Sequence, residues 1–116
     1  MTAAFSQGRP LADSNETVTL PAEQIEPGDI VLRVQDDVGN LDLRAGDLLI
    51  VARRATGRAA TGEFVVVTLQ HLTFVGRWWG KHGARALVDD EFHVIANAPE
   101  MRVFGAVTLI ARAETR

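Results

Sequence analysis

The sequence predicts an all-β fold, a small twisted barrel or sandwich, and three observations support this prediction. Short apolar runs alternate with turn signals at even spacing along most of the chain. Several of these runs are nearly continuous and rich in β-branched residues, which indicates strands that are buried on both faces. No segment has the apolar period of an amphipathic helix. At 116 residues, the chain has the length of one domain.

The first 16 residues are polar and contain the breakers Gly8 and Pro10, so we predict a flexible leader over 1–16 and a folded domain over 17–116. Turn residues separate the strands, and the break at 36–43 has room for one helical turn. We expect a hairpin loop at 54–62. The predicted strands span residues 17–20, 29–34, 48–53, 63–69, 73–79, 84–88, 91–95 and 102–112.

The composition argues against several functional classes. The net charge of -3 provides no overall basic field for nucleic acid. The chain has no cysteine, which excludes disulfides, thiolate nucleophiles and cysteine-bound zinc and fits a reducing cytoplasm. No apolar run reaches the roughly 18 residues of a membrane span, and no secretory signal pattern is present. No phosphate-binding motif is present, so we expect no cofactor. From the apolar runs and the lack of cysteine, we expect no membrane contact and a cytoplasmic protein.

Five weak signals occur along the chain in an order that resembles a known family. The segment IVLRVQDDVGN runs from a strand into a turn, and Gly46-Asp47 opens the strand of LDLRAGDLLIVARR. The segments GEFVVV, FVGR and VFGAVTLIAR follow in that order. Together they resemble the LexA-like serine–lysine peptidase domains that are shared by LexA, phage repressors and UmuD. The resemblance implies a small twisted barrel-like fold of the LexA and signal-peptidase type.

The resemblance also implies peptide cleavage by a serine whose base is a buried neutral lysine, and this sequence departs from the family at both positions. Asp37 stands at the serine position, and Gly76 stands at the lysine position with Arg77 beside it. Arginine stays protonated in proteins and cannot act as the base. Lys81, the only lysine, lies roughly 16 Å beyond Gly76 along an extended strand. We therefore expect no serine–lysine catalysis and assign no catalytic residue.

The function that we predict from the resemblance is self-association or binding of another protein, within transcriptional or stress-response regulation. The family's domain also dimerises repressors, so a homodimer or a protein partner is expected. One alternative is a hydrolase or autopeptidase that uses a rewired site at Asp36 and Asp37. We favour a structural turn there, because aspartate commonly bonds to nearby backbone in turns and adjacent strand residues point apart.

Two further clusters are candidates for binding. Trp78 and Trp79 point to opposite faces if they lie in a strand, so one is expected in the core and the other at an interface with a partner. Arg53, Arg54 and Arg58 make their loop basic, which gives a nucleic-acid contact as a second alternative. A solvated loop is favoured, because the whole chain is acidic and no aromatic residue interrupts the arginines.

A metal site is not predicted. His71, His82 and His93 lie on three different predicted segments, and their spacing matches no metal-binding motif. The run Asp89-Asp90-Glu91 with His93 is a better ligand cluster, but a solvated acidic turn is the favoured interpretation.

Overall fold

The structure is a computed structural model that describes residues 2–13, 25–54 and 59–112. It confirms the predicted all-β, barrel-like fold: strands dominate and form a curled, half-barrel sheet. A single 3-10 turn, Gly39–Leu41, is found in the described residues, within the break predicted at 36–43. The strands of the described residues are β1 (Thr2–Phe5), β2 (Ala12–Asp13), β3 (Ile30–Val34), β4 (Leu48–Arg53), β5 (Phe64–Leu69), β6 (Leu72–Lys81), β7 (Ala84–Val88), β8 (Val94–Ala96) and β9 (Arg102–Ala111).

The strands form one sheet in the order β2-β1-β3-β4-β9-β5-β6-β7-β8. The last strand, β9, lies between β4 and β5 and pairs with both in antiparallel fashion. The prediction that residues 54–62 form a hairpin loop is therefore wrong, since β4 and β5 are not neighbours. Turn residues alone could not reveal this, because the strand that separates β4 from β5 comes some 40 residues later in the sequence.

The prediction of a flexible leader over 1–16 is also corrected, for residues 2–13. Strand β1 pairs in parallel with β3, and Ala3 and Phe5 are buried in the main core. The polar composition of this segment was misleading, because Ala3 and Phe5, two positions apart on one face of β1, are enough to anchor it in the core. Residues 14–16 and the strand predicted at 17–20 lie outside the described residues.

The segment after β1 turns back and bonds to β6, at the other side of the curl. The backbone amide of Gly8 donates to the carbonyl of Thr73, and the amide of Thr73 donates to the carbonyl of Arg9. The side chain of Gln7 bonds to the backbone of Val75. These contacts close part of the barrel, so the N-terminal residues are structural.

Two apolar clusters occupy opposite faces of the central strands, as the continuous apolar runs predict. In β5, Val66 belongs to the larger cluster, which also contains Phe5, Leu32 and Leu49. Its neighbours Val65 and Val67 belong to the second cluster, with Trp78 and Leu87. All three valines are fully buried, which at about 25 cal/mol per Å² makes β5 a major contributor to the apolar free energy of folding.

The strand predicted at 91–95 begins later, at Val94. Residues Asp89–His93 form a tight turn instead, which the carboxylate of Asp89 organises. Strand β8 is short and lies at the edge of the sheet. This shift leaves Phe92 in the turn and places Val94 at the sheet edge.

Candidate functional site

The two aspartates of the turn after β3 bond to different segments of the chain. Asp37 Oδ1 accepts the backbone amide of Ala45 at 2.8 Å, and Asp36 Oδ2 accepts the Ser6 hydroxyl at 3.1 Å. Both carboxylates are exposed to solvent. These bonds tie the turn to its neighbours, which is the structural interpretation favoured from the sequence. A hydrolytic site at Asp36 and Asp37 stays a prediction.

Gly76 lies in a position where no side chain fits. A Cβ atom added there would lie 2.8 Å from Ile95 Cδ1, 2.9 Å from Leu87 Cγ and 2.9 Å from the carbonyl oxygen of Val88. Real Cβ contacts are essentially never shorter than 3.0 Å. The space that a lysine would need at position 76 is thus filled by Ile95 and Leu87. Lys81, at the far end of the same strand, is exposed.

Arg77, next to Gly76, points to the opposite face of β6. Its guanidinium lies over the Phe64 ring, 4.7 Å from the ring centre, and its Nε lies 3.3 Å from Asp90 Oδ1. Both partners of this ion pair are partly exposed, so its contribution to stability is about 0–1 kcal/mol. The pair links β6 to the turn that follows β7.

Asp89 is the buried carboxylate of that turn. Its Oδ1 accepts the amides of Glu91 at 2.8 Å and His93 at 2.9 Å, and its Oδ2 accepts the Asn40 side-chain amide at 3.0 Å. Burial alone raises the pKa of Asp89, but these hydrogen bonds and the nearby His93 together outweigh burial and hold the pKa below its usual value. The break at 36–43 therefore contacts the β7–β8 turn through Asn40 and Asp89.

The three histidines do not come together. His71 lies in the turn between β5 and β6, His82 in the turn between β6 and β7, and His93 after β7. His93 Nδ1 lies 3.2 Å from Asp89 Oδ2 and 3.6 Å from Glu91 Oε2, with the side chain 69% exposed. Across the described ranges, no group of three or more ligating side chains could hold a metal ion.

The adjacent tryptophans separate as their strand positions predict. Trp78 is only 6% exposed and belongs to the second core cluster. Trp79 is half-buried on the other face, where it lines a shallow groove of about 290 Å³. We call this groove the Phe92 surface; it is formed by Trp79, Ala86, Val88, Phe92 and Val94.

The Phe92 surface contains the exposed large hydrophobic side chains of the described residues, Phe92 at 77% and Val94 at 58%. Phe92 also lines a second cavity of about 250 Å³ together with Arg77 and Asp90. Its ring therefore stands between two depressions, each of which continues to Trp79 and Val88. No sequence pattern marks Phe92, because the exposure of an apolar residue depends on what the rest of the fold leaves uncovered.

The backbone of Phe92 is in the left-handed region, at φ 64°. This conformation is rare for a bulky residue and costs about 1–2 kcal/mol. The hydrogen bonds from the turn to Asp89 hold it in place, together with the bond from the Phe92 amide to the Asp89 carbonyl at 3.1 Å. The turn thus holds an aromatic ring in solvent, although both the strained backbone and the exposed apolar surface cost free energy.

The predicted basic loop is only partly within the described residues. Arg53 ends β4 and Arg54 follows it, whereas Arg58 lies outside the described residues. Arg54 forms a two-point ion pair with Glu63, with one contact at 2.7 Å. Hydrogen bonds from Arg54 and from the Ala60 amide lower the pKa of Glu63 against the opposing effect of burial.

The chain matches no protein-family model and no curated protein. Among the described residues, no helix is long and apolar enough to cross a membrane.

Proposed function

We propose that this chain is a non-catalytic domain of the LexA-like type that self-associates through the Phe92 surface, as part of a transcriptional or stress-response regulator. The observation that carries the proposal is Phe92 itself, a 77% exposed aromatic ring on a backbone at φ 64°. Strained backbone and exposed aromatic rings are both typical of functional contacts. Aromatic side chains also supply much of the binding energy of protein interfaces.

The sheet edge favours a second copy as the occupant. Among the strands of the described residues, β8 pairs on one side only, and Val94 on that strand is part of the Phe92 surface. Two copies related by a two-fold axis across this edge bring their β8 strands together in antiparallel fashion. The apolar surfaces of the two copies then lie side by side on one face of the joined sheet.

The charges at the two ends of the Phe92 surface are complementary under that symmetry. Lys81 ends β6 opposite Ala84, at the start of β7, whereas Glu91 follows the end of β7. Both side chains are exposed. A two-fold axis reverses the strand direction, so Lys81 of one copy and Glu91 of the second copy lie at the same end of the joined sheet. Complementary charges of this kind at a rim contribute little affinity but favour one orientation.

Loss of the catalytic pair is consistent with this role. Asp37 holds the turn to Ala45, and the neighbourhood of Gly76 is closed by Ile95 and Leu87. A domain that has lost the family's serine and lysine but retains an exposed aromatic surface is better suited to binding than to cleavage.

Sedimentation velocity over a range of protein concentrations tests the proposal. We expect a monomer–dimer equilibrium that Phe92→Ser weakens about thirtyfold, as for an interface residue worth about 2 kcal/mol. Glu100→Lys, exposed but away from the surface, is the matched control.

Two results would overturn the proposal. One is a protein that stays monomeric at every concentration, which excludes self-association. The other is a discrete cleavage product in the intact mass after a day at neutral or alkaline pH, removed by Asp37→Ala, which would support the alternative hydrolytic site at Asp36 and Asp37.

A further inference from the structure

A second groove, formed by β4, β5 and β9, is separate from the Phe92 surface. It has a volume of about 550 Å³ and is lined by Arg53, Arg54, Thr68, Arg102, Val103 and Phe104. Arg53 ends β4, and Arg102 begins β9. The sheet order places these strands side by side, so the groove joins cations that lie about 50 positions apart in the sequence.

The groove is positively charged even though the chain as a whole is acidic. None of its lining residues is acidic, and three are arginines. Arg54 is paired with Glu63, but Arg53 and Arg102 are exposed and form no ion pair with any residue of the described ranges. In the part of the chain that the structure describes, no carboxylate neutralises these two exposed guanidinium groups.

Phe104 gives the groove an aromatic component that the sequence did not indicate. The guanidinium carbon of Arg53 lies 5.3 Å from the centre of the Phe104 ring. Stacking of this kind uses the flat face of the guanidinium and leaves its N–H donors at the edge free to bond to an anion. The contact also limits the rotamers of Arg53, which lowers the entropy cost of binding.

We propose that this groove binds the phosphodiester backbone of single-stranded nucleic acid, with Arg53 and Arg102 on phosphates and Phe104 at the base side. Guanidinium groups match phosphate geometry, and a basic groove with an aromatic ring is the usual form of single-strand sites. A duplex is disfavoured, because the groove lies along sheet strands and the described residues contain no recognition helix to enter a DNA groove.

Fluorescence anisotropy with a labelled oligothymidylate of about 12 nucleotides tests this proposal. We expect binding at low salt, with a slope of log K against log salt of about -1.4, which corresponds to two phosphates on a single strand. Arg53→Ala and Arg102→Ala should each weaken binding several-fold and reduce the slope by about 0.7. Arg85→Ala removes an exposed arginine outside the groove and should leave binding unchanged.

Three results would overturn the proposal. They are no binding at low salt, equal binding by the wild type and both groove variants, or displacement of the oligonucleotide by polyglutamate at matched charge. The last result would mean that the groove takes acidic peptides. Because the Phe92 surface uses other strands, Phe92→Ser should leave oligonucleotide binding intact whichever way the self-association test turns out.

Discussion

The side-chain amide of Gln7 forms two hydrogen bonds with the backbone of Val75, one in each direction. Gln7 Nε2 donates to the Val75 carbonyl at 2.8 Å, and the Val75 amide donates to Gln7 Oε1 at 2.9 Å. The two residues are 68 positions apart. On the other edge of β6, Val75 lies opposite Val66 of β5. The Gln7 side chain thus takes the place of a neighbouring strand: it satisfies the backbone amide and carbonyl of Val75 where the barrel closes.

Removal of this contact should destabilise the fold. Gln7→Ala leaves an amide and a carbonyl of β6 without protein partners, which costs about 1–3 kcal/mol. Urea denaturation measures the loss, and Gln35→Ala, whose side chain is exposed, should change stability by less than about 0.5 kcal/mol. Equal stability of the two variants would mean that the N-terminal segment is not needed for closure.

Gly76→Ala should destabilise the protein because its methyl group would overlap Ile95, Leu87 and a backbone oxygen. We expect a loss of about 1–3 kcal/mol in the free energy of unfolding, typical of an overpacked core. Gly39→Ala is the matched control, since no atom lies within 4 Å of a Cβ at that position. A Gly76→Ala protein as stable as the control would show that the β6–β8 region adapts and could admit a lysine.

Asp89 should make stability depend on pH in the acid range. Its pKa is lowered in the folded state, so its contribution is complete above the unfolded value of about 4 and is lost as pH falls through the lowered folded value. Asp89→Asn should therefore unfold at lower urea than the wild type at pH 7, and the difference should shrink below about pH 4.

The neighbouring Asp90→Asn serves as control, because its pair with Arg77 is at the surface and should matter little at any pH. A difference between the wild type and Asp89→Asn that stays constant down to low pH would contradict the role assigned to the Asp89 charge.

The strain at Phe92 can be measured directly. Glycine adopts the left-handed region without steric cost, so Phe92→Gly should be more stable than Phe92→Ala by about 1 kcal/mol. The order should reverse at Val94, which lies in a strand, where glycine is the less stable substitution. Thermal unfolding of the four variants at a concentration where all are monomeric tests this. Greater stability of Phe92→Ala would show that the backbone is not strained.

Much of the fold was predictable because strand formation here depends on local pattern. The apolar runs at β4, β5, β7 and β9 were predicted to within a residue or two, since each is bounded by turn residues. The failures lie where partners are distant in sequence. Strand β9 enters between β4 and β5, and the polar first residues pair with β3 and β6.

The candidate sites were predictable to a smaller degree. The separation of Trp78 from Trp79 follows from strand alternation, and the structure adds which of the two is buried. Arg53 was identified from the sequence as part of a basic loop, but its partners in the groove, Arg102 and Phe104, come from another strand. Phe92 was not predicted, because neither its backbone angle nor its exposure can be read from the local sequence.

The sequence by itself determined an all-β chain with strands buried on both faces and no serine–lysine pair, because residue types and short-range periodicity suffice for those conclusions. Only the tertiary structure decided that the N-terminal residues close the barrel, that Gly76 has no room for a side chain and that Phe92 stands in solvent. Each of these depends on contacts between segments far apart in the chain, and the free energy of those contacts has no local signature.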